Sequence, residues 1–344
     1  MKEFGSDFHF IDFYEGLTED TIAKFIPSAL YYADGRQALI ALYGHEGWKR
    51  LWVPEYFCRE VVDTWLAAGL NIVFYPDYPA ADDGAIIDEI AFADGDALFR
   101  VNFFGLRGFR SNSSIKIPVV EDHTHDVIGE WALRSDADWA VASLRKSLPV
   151  AEGGVLWSPV GHKLPDRPVY ETDNQNTAER RWHAMRQKKR YLSGESADKE
   201  SYRKEFISTE SYFDSPHAVS IDTMSADYLQ HLNLKDWYRR KLLNWQILAN
   251  VQSQDYMVLC PESTDRCTPF SYTILCKSKD VRDSLRCRLI EHNIYPAILW
   301  AMPHTVSCAV ADFSSRMLSI HCDGRYSEGD IMQMKSIIES ILQP

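Results

Sequence analysis

The sequence predicts an α/β fold in two parts, a large domain and a smaller C-terminal α+β domain. Short strand-like runs that are apolar on both faces alternate with helical segments as far as Pro159, which is typical of a sheet covered by helices on both sides. The chain is then polar and charge-dense from 161 to 215, and its 344 residues are enough for two domains. We therefore predict a large domain over 1–215, with a charged insertion at 161–215, and a small domain over 216–344.

The individual elements follow from apolar spacing and from stop signals. Helical spacing begins after Asp34, a residue suited to an N-cap, and a second helical segment stops at Gly69. The predicted helices are 35–47, 60–68, 226–248, 281–292 and 331–342, and the predicted strands are 51–53, 71–75, 97–104, 117–120, 139–144, 154–157, 272–276 and 317–320. Within the insertion a basic run is interpreted as a solvated helix face rather than an anion-binding surface: Arg180, Arg181, Arg186, Lys188, Lys189 and Arg190.

Composition narrows the class of protein. The chain is 45% hydrophobic and 25% charged, which indicates a folded globular protein, either an enzyme or a protein-binding module. Its net charge of −12 argues against nucleic acid and anionic membranes as partners. There is neither a signal-peptide pattern at the start nor a run of ~18 apolar residues, so we expect a cytoplasmic protein. Seven cysteines without a CxxC pair predict no disulfide framework and no structural zinc.

Ionisable residues cluster after two of the predicted strands. In open α/β sheets, ligands bind outside the carboxyl ends of the strands, so these residues are the candidate site. The strand ending at Val120 is followed by Glu121, Asp122, His123, Thr124, His125 and Asp126, and the strand around Val141 is followed by Ser143, Leu144, Arg145 and Lys146.

Three kinds of chemistry fit these side chains. His123, His125 and Asp126 could ligate zinc or iron, because alternate residues of an extended segment point the same way. Ser143 and Lys146 have the Ser-x-x-Lys spacing of penicillin-binding nucleophiles, but the Ser-Asp-Asn and Lys-Thr-Gly partners are absent. An Asp, a Lys and a Ser at neighbouring strand ends could also hold pyridoxal phosphate (PLP), through its ring nitrogen, its aldehyde and its phosphate.

Several motifs, in order, resemble the DegT/DnrJ/StrS-type sugar aminotransferases, which are fold-type I PLP enzymes with a mostly parallel sheet. The run from Val119 to His125 is similar to that family's strand ending Glu-Asp-x-x-Gln/His, and Lys146 lies six residues before Glu152-Gly153-Gly154, as in its Lys-Asn-Leu…Glu-Gly-Gly segment. The helix start Gly35-Arg36-Gln37-Ala38-Leu39 is similar to Gly-Thr-x-Ala-Leu. About two thirds of the chain can be aligned with this pattern.

The resemblance implies a role for each matching residue. Lys146 would bind PLP covalently and then transfer protons, Asp122 would pair with the pyridine N–H, and His125 would lie near the ring's phenolic oxygen. Ser143 and the backbone at Gly35 and Arg36 would contact the phosphate. An aromatic ring from Tyr56 or Phe57 would stack on the cofactor.

The resemblance also implies the function and its partners. The chain would be a homodimeric aminotransferase of sugar biosynthesis, moving an amino group from an amino-acid donor to a keto substrate such as a nucleotide-linked keto-sugar. The family's Gly-Tyr-Asn-x-Arg segment, which lends an Asn to the partner's site, has no counterpart between Gly161 and Ala218. Two alternatives therefore stay open: a PLP-fold protein with a binding or scaffold role and no transaminase activity, and a metal-dependent hydrolase using His123, His125 and Asp126.

Overall fold

The large sheet is built from seven strands within the part of the chain that the computed structural model describes, which is residues 3–12, 18–196 and 198–342. The strands of this sheet, of a smaller three-stranded sheet and of a two-stranded pair are β1 Phe4–Gly5, β2 Ala29–Tyr32, β3 Arg50–Pro54, β4 Ile72–Tyr75, β5 Asp96–Val101, β6 Val119–Asp122, β7 Trp139–Ser143, β8 Gly154–Trp157, β9 Tyr256–Val258, β10 Tyr272–Cys276, β11 Ile294–Tyr295 and β12 Met317–Ile320. The large sheet has the order β2-β8-β7-β6-β5-β3-β4, and β8 alone runs antiparallel to its neighbours. The predicted α/β class is confirmed.

Helices of the first half alternate with these strands. They are α1 Ile22–Phe25, α2 Gly35–Glu46, α3 Arg59–Ala67, α4 Asp83–Asp88, α5 Glu130–Arg134 and α6 Leu144–Ser147. The predicted cap of α2 is confirmed, since Asp34 Oδ1 accepts a hydrogen bond from the Gln37 amide at 3.0 Å. The predicted strand 97–104 ends early, at Val101, because Phe103–Gly105 form a short 3-10 turn in which Phe104 has φ 55°.

The strand order places the candidate residues at one edge of the sheet. β6 and β7 are parallel neighbours, with Asp122 opposite Val141, so their carboxyl ends lie side by side. Helix α2 begins at the same edge: a Cβ added to Gly35 would lie 3.1 Å from the Cβ of Ser143. A helix N-terminus and two strand ends therefore converge, which is the usual position of a ligand site in an α/β sheet.

The insertion is an ordered helical hairpin. It consists of α7 Thr172–Leu192 and α8 Lys199–Glu210, followed by a 3-10 turn over Ser211–Asp214. Trp182 and Tyr202 anchor it in the core beside the large sheet. The prediction of a solvated basic face is wrong for Arg181 and Lys188, which are only 4% and 2% exposed. Each has polar partners in the interior, which is what allows a basic side chain to be buried.

The C-terminal part contains a three-stranded antiparallel sheet, β12-β10-β9, with helices packed against it. Its helices are α9 Thr223–His231, α10 Leu234–Ala249, α11 Lys279–Glu291, α12 Cys308–Arg316 and α13 Glu328–Leu342. The predicted single helix 226–248 is wrong. It is two helices, because Asn233 leaves the helical conformation and caps α10 by accepting from the Asp236 amide at 2.9 Å. The boundary at residue 215 stays a prediction.

The N-terminal segment packs against C-terminal elements. β1 pairs with β11 in parallel, and Phe4 lies in the hydrophobic core of the small sheet. Lys188 Nζ of α7 donates to the Asp7 carbonyl at 2.5 Å, and Arg325, just after β12, donates to the same carbonyl at 3.0 Å. Residues 4–8 thus connect the insertion to the small sheet.

Two compositional expectations can be compared with the structure. All seven cysteines are free thiols in the structure. Among the described residues, no helix combines the length and the apolar character needed to cross a membrane.

Candidate functional site

A cavity of about 520 Å³ lies where β6, β7 and the start of α2 meet. This volume is within the range of small-molecule and cofactor pockets. Its wall contains seven of the eight residues selected from the sequence: Gly35, Arg36, Phe57, Asp122, His125, Ser143 and Lys146. Strand ends that are far apart in sequence therefore bring the selected side chains together.

Lys146 projects into this cavity from the short helix α6. Its side chain is accessible, and it lines both this cavity and a smaller one beside it. The Arg145 cation and the shielding from bulk water lower the pKa of Lys146 to about 8, against the opposing effect of the Glu210 carboxylate. A substantial fraction of this amine is neutral near pH 8, and the neutral amine is the nucleophilic form.

Asp122 and His125 both line the cavity, and burial shifts the pKa of each. Burial raises the pKa of Asp122, although a hydrogen bond from the Thr124 amide at 2.8 Å favours its carboxylate. Burial and the Lys241 cation lower the pKa of His125 to about 3, so its ring is neutral. The Phe104 amide donates to His125 Nδ1 at 3.0 Å, which leaves the ring proton on Nε2.

The start of α2 forms an anion cradle beside these groups. The first amides of a helix have no intrahelical acceptor, and the helix dipole favours negative charge there. Gly35 brings that turn against Ser143, and the Arg36 guanidinium lies beside it, paired with Asp214 and within 4 Å of the carboxylates of Asp34 and Glu60. The cradle suits a phosphate group.

Thr124 lies within the run of candidate residues, but sequence reasoning gave it no role in the site. Besides its amide bond to Asp122, its hydroxyl accepts from the Ser143 amide at 2.9 Å, and its carbonyl accepts from the Ser147 hydroxyl at 2.5 Å. Thr124 therefore links the end of β6 to the end of β7. Its position between two recognisable motif residues is the signal that could have identified it.

Aromatic rings form one wall of the cavity. The ring of Phe57 stacks on Trp65, with centroids 5.3 Å apart, and Trp300 stacks on His125 at 6.1 Å. Tyr56 lies elsewhere, fully buried in the core, with its hydroxyl donating to the Leu299 carbonyl. Of the two aromatic candidates, Phe57 is the one placed at the cavity, and Trp300 is an aromatic neighbour that the sequence did not suggest.

The Glu152-Gly153-Gly154 motif has a packing role. A Cβ at Gly154 would lie 2.1 Å from the carbonyl carbon of Asp34, so only glycine lets β8 approach the start of α2. Glu152 is completely buried and accepts hydrogen bonds from the Asp222 amide at 2.6 Å and from the Asn174 side chain at 2.9 Å. Burial and the neighbouring Asp222 raise the pKa of Glu152 well above its ordinary value, which favours a neutral acid.

The alternative metal site is not formed. His123 turns to the other side of β6, where its Nε2 lies 3.0 Å from Glu121 Oε2, and Asp126 accepts from the Thr268 amide at 2.8 Å. Within the described ranges, no group of three or more His, Cys, Asp or Glu side chains is arranged to hold a metal ion.

Comparison with known proteins identifies the fold. No protein-family model and no curated protein matches the chain. Among solved structures, the aminotransferase PseC of Helicobacter pylori, involved in the biosynthesis of pseudoaminic acid, aligns over 99% of both chains at 14% identity and a TM-score of 0.64. The aminotransferase TlmJ of Streptoalloteichus hindustanus aligns over 92% of this chain and 87% of its own, at 14% identity and a TM-score of 0.63.

Two further neighbours name the family and a cofactor. A DegT DnrJ EryC1 StrS aminotransferase from Brucella abortus covers 93% of this chain and 87% of its own, at 15% identity and a TM-score of 0.59. NtdA of Bacillus subtilis, solved with bound cofactor PMP, covers 93% and 74%, at 12% identity and a TM-score of 0.61. At these identities the likeness shows the fold, and the predicted fold-type I aminotransferase fold is confirmed.

Proposed function

We propose that this chain, which has the fold of the aminotransferases, is itself a PLP-dependent aminotransferase. The observation that carries the proposal is the meeting, in one cavity, of an amine with a lowered pKa (Lys146), a buried carboxyl (Asp122) and an anion cradle at the start of α2. Each group matches one functional part of the cofactor. Gly35 and Arg36, in the first turn of α2, line this cavity together with Ser143, so the residues present fit the phosphate of PLP.

The residues would hold the cofactor by complementary charge and hydrogen bonding. The amides at Gly35 and Arg36, with the Ser143 hydroxyl, would bind the phosphate. Asp122 would accept from the ring N–H, and that ion pair would favour its carboxylate despite burial. His125, a neutral donor through Nε2, would face the phenolic oxygen. When bound, PLP supplies an electron sink for charge that develops on the substrate.

Lys146 would both bind the cofactor and move protons. Near neutral pH its amine is poised between the neutral and charged forms, which is what a group that accepts and returns a proton requires. The aromatic wall of Phe57 and Trp300 would exclude water from the reacting atoms. The amino group would come from an amino-acid donor and pass to a keto substrate, by analogy with the neighbours a nucleotide-linked keto-sugar. We further propose that the protein acts in the cytoplasm as a homodimer.

The cofactor proposal is tested by absorption spectroscopy. Purified protein mixed with PLP should develop the visible band of lysine-bound PLP, and glutamate should convert it to the pyridoxamine form. Lys146→Ala should abolish the band, whereas Lys24→Ala, at an exposed lysine paired with Asp20, should leave it unchanged. A protein without the band, or one whose band survives Lys146→Ala, contradicts the proposal. A normal band that no amino acid converts would contradict the transaminase assignment and favour the noncatalytic alternative.

A further inference from the structure

Lys241 is a buried lysine that the proposed function does not use. It lies on α10, is only 1% exposed, and its Nζ donates to the His125 carbonyl at 3.1 Å. The amine also lies over the rings of Tyr238 and Phe270, 4.8 and 5.6 Å from their centroids. Burying an amine is costly, and its contacts with the carbonyl oxygen and the two ring faces offset that cost. Lys241 does not line the cavity of the candidate site, so its contact with the site is through His125.

His125 is held on several sides by groups around it. The Phe104 amide donates to its Nδ1 at 3.0 Å, and the Phe270 ring packs on the imidazole with centroids 4.5 Å apart. Phe104 has φ 55°, a left-handed conformation that is costly for a residue other than glycine. The Phe270 amide stabilises this conformation by donating to the Phe104 carbonyl at 2.7 Å. Lys241 adds a bond to the main chain of His125 itself, so both the ring and the backbone of this residue are held.

Helix α10 sets the position of Lys241. Three residues further along the helix, the Asn244 side chain donates to the carbonyls of Asp323 and Tyr326, at 3.0 and 3.1 Å. These two bonds attach α10 to the loop after β12. Lys241 thereby connects the C-terminal elements to the segment after β6, where His125 lies.

The charges around Lys241 and His125 favour a neutral imidazole. Burial lowers the pKa of Lys241. The groups that oppose this lowering are Asp126, Cys322 and Asp323. Lys241 and Lys146 in turn lower the pKa of His125 beyond the effect of burial. Because the Phe104 amide occupies Nδ1, the neutral ring carries its proton on Nε2 and donates from there.

We propose that Lys241 is a positioning residue, which holds the main chain of His125 so that the Nε2–H of the ring faces the phenolic oxygen of the cofactor. For the identity of that oxygen, the inference rests on the proposed function. A hydrogen bond to a buried carbonyl fixes the backbone from which the ring projects, and removing the donor leaves the carbonyl unsatisfied. Without the Lys241 amine, donation from His125 Nε2 should therefore weaken.

The pH dependence of the visible band of lysine-bound PLP tests this role. A donor at the phenolic oxygen draws negative charge from it and thereby lowers the pKa of the lysine nitrogen bound to the cofactor. Lys241→Met should therefore raise the pH midpoint of the band by about one unit, and His125→Phe should raise it at least as far. In the His125→Phe background, Lys241→Met should cause no further shift, which distinguishes action through His125 from a direct effect of the Lys241 charge. Lys235→Met, at an exposed lysine of the same helix, is the matched control and should leave the midpoint unchanged. An unchanged midpoint in Lys241→Met, or an equal shift with and without His125, would overturn the inference.

Hydrogen exchange in the cofactor-free protein separates this inference from the proposed function. Lys241→Met should speed the exchange of the Phe104 amide, followed by mass spectrometry of peptides, by about tenfold or more, whereas the amides of β4 should keep their rates. If the protein takes up no PLP, the proposed function fails, and this exchange rate still decides whether Lys241 holds His125; an unchanged rate means that it does not. If Lys241→Met does not fold, adding Asp126→Asn removes the carboxylate left without its cation, and that variant should show the same faster exchange and the same midpoint.

Discussion

Removing the Arg145 charge should raise the pKa of Lys146. Arg145 is the largest cause of the shift in this pKa from 10.5 to about 8. Arg145→Gln should therefore raise the pKa of Lys146 by about one unit or more, toward its ordinary value. At pH 8 the neutral fraction of Lys146 would then fall from about one half to about one tenth, a roughly fivefold loss of reactive amine. Glu210→Gln should act in the opposite direction, because Glu210 raises the pKa of Lys146.

Competitive labelling of the cofactor-free protein with acetic anhydride measures this pKa directly. The labelling rate of Lys146, followed by mass spectrometry over roughly pH 6 to 11, reports its neutral fraction. Arg186→Gln removes the same charge from an exposed position on α7 and should leave the titration unchanged. If Arg145→Gln and Glu210→Gln shift the pKa in the same direction, or if neither moves it, the electrostatic explanation of Lys146 is wrong.

Three other predictions concern stability. Burial lowers the pKa of Lys188 to about 7 in the folded chain, so between that value and the unfolded value of ~10.4 the unfolded chain binds more protons and stability rises with pH. Lys188→Met should therefore reduce the slope of unfolding free energy against pH, measured by urea titration, by up to about 1.4 kcal/mol per pH unit. If the variant and the wild type have equal slopes, Lys188 is not buried as a neutral amine. Gly154→Ala should prevent stable folding, because the added Cβ would overlap the backbone of Asp34. Gly44→Ala is the control, since Gly44 faces open space within α2, and it should raise the unfolding free energy by up to about 1 kcal/mol. A well-folded Gly154→Ala protein would refute the packing argument. Neither a chelator nor added zinc should change the midpoint of thermal unfolding, since the described His-x-His segment after β6 forms no metal site. A midpoint raised by zinc would mean that these residues do bind a metal ion.

The sequence predicted those parts of the site that depend on local order along the chain. Asp122 and Lys146 each follow an apolar strand, and the carboxyl ends of parallel neighbours necessarily meet, so their proximity could be foreseen. The capping of α2 by Asp34 is equally local. Predicting these features requires only the order of the elements along the chain and the chemistry of strand and helix ends.

Contacts between distant segments could not be predicted in this way. Glu210 binds Arg145 across 65 residues, and nothing in the spacing of either residue indicates the other. The burial of Arg181 and Lys188 could not be predicted for the same reason. A basic helix has the same composition whether its side chains face water or are bound by interior carbonyl groups and carboxylates from distant segments. The break at Asn233 was missed because apolar spacing continues across it, and only the cap chemistry of Asn separates the two helices.

The pairing of β1 with β11 has a consequence for synthesis on the ribosome. Phe4 is made before the strands of the large sheet, but its strand partner Ile294 is made 290 residues after it. At translation rates of about 5–20 residues per second, the N-terminal segment waits roughly 15–60 s for that partner. The large sheet, β2 to β8, can form during this interval. The larger cavity at the end of β6 has no wall residue after Ala301, whereas a smaller cavity of about 300 Å³ beside Lys146 is enclosed only when Arg325 has also emerged, so a nascent chain contains all the wall residues of the larger cavity first.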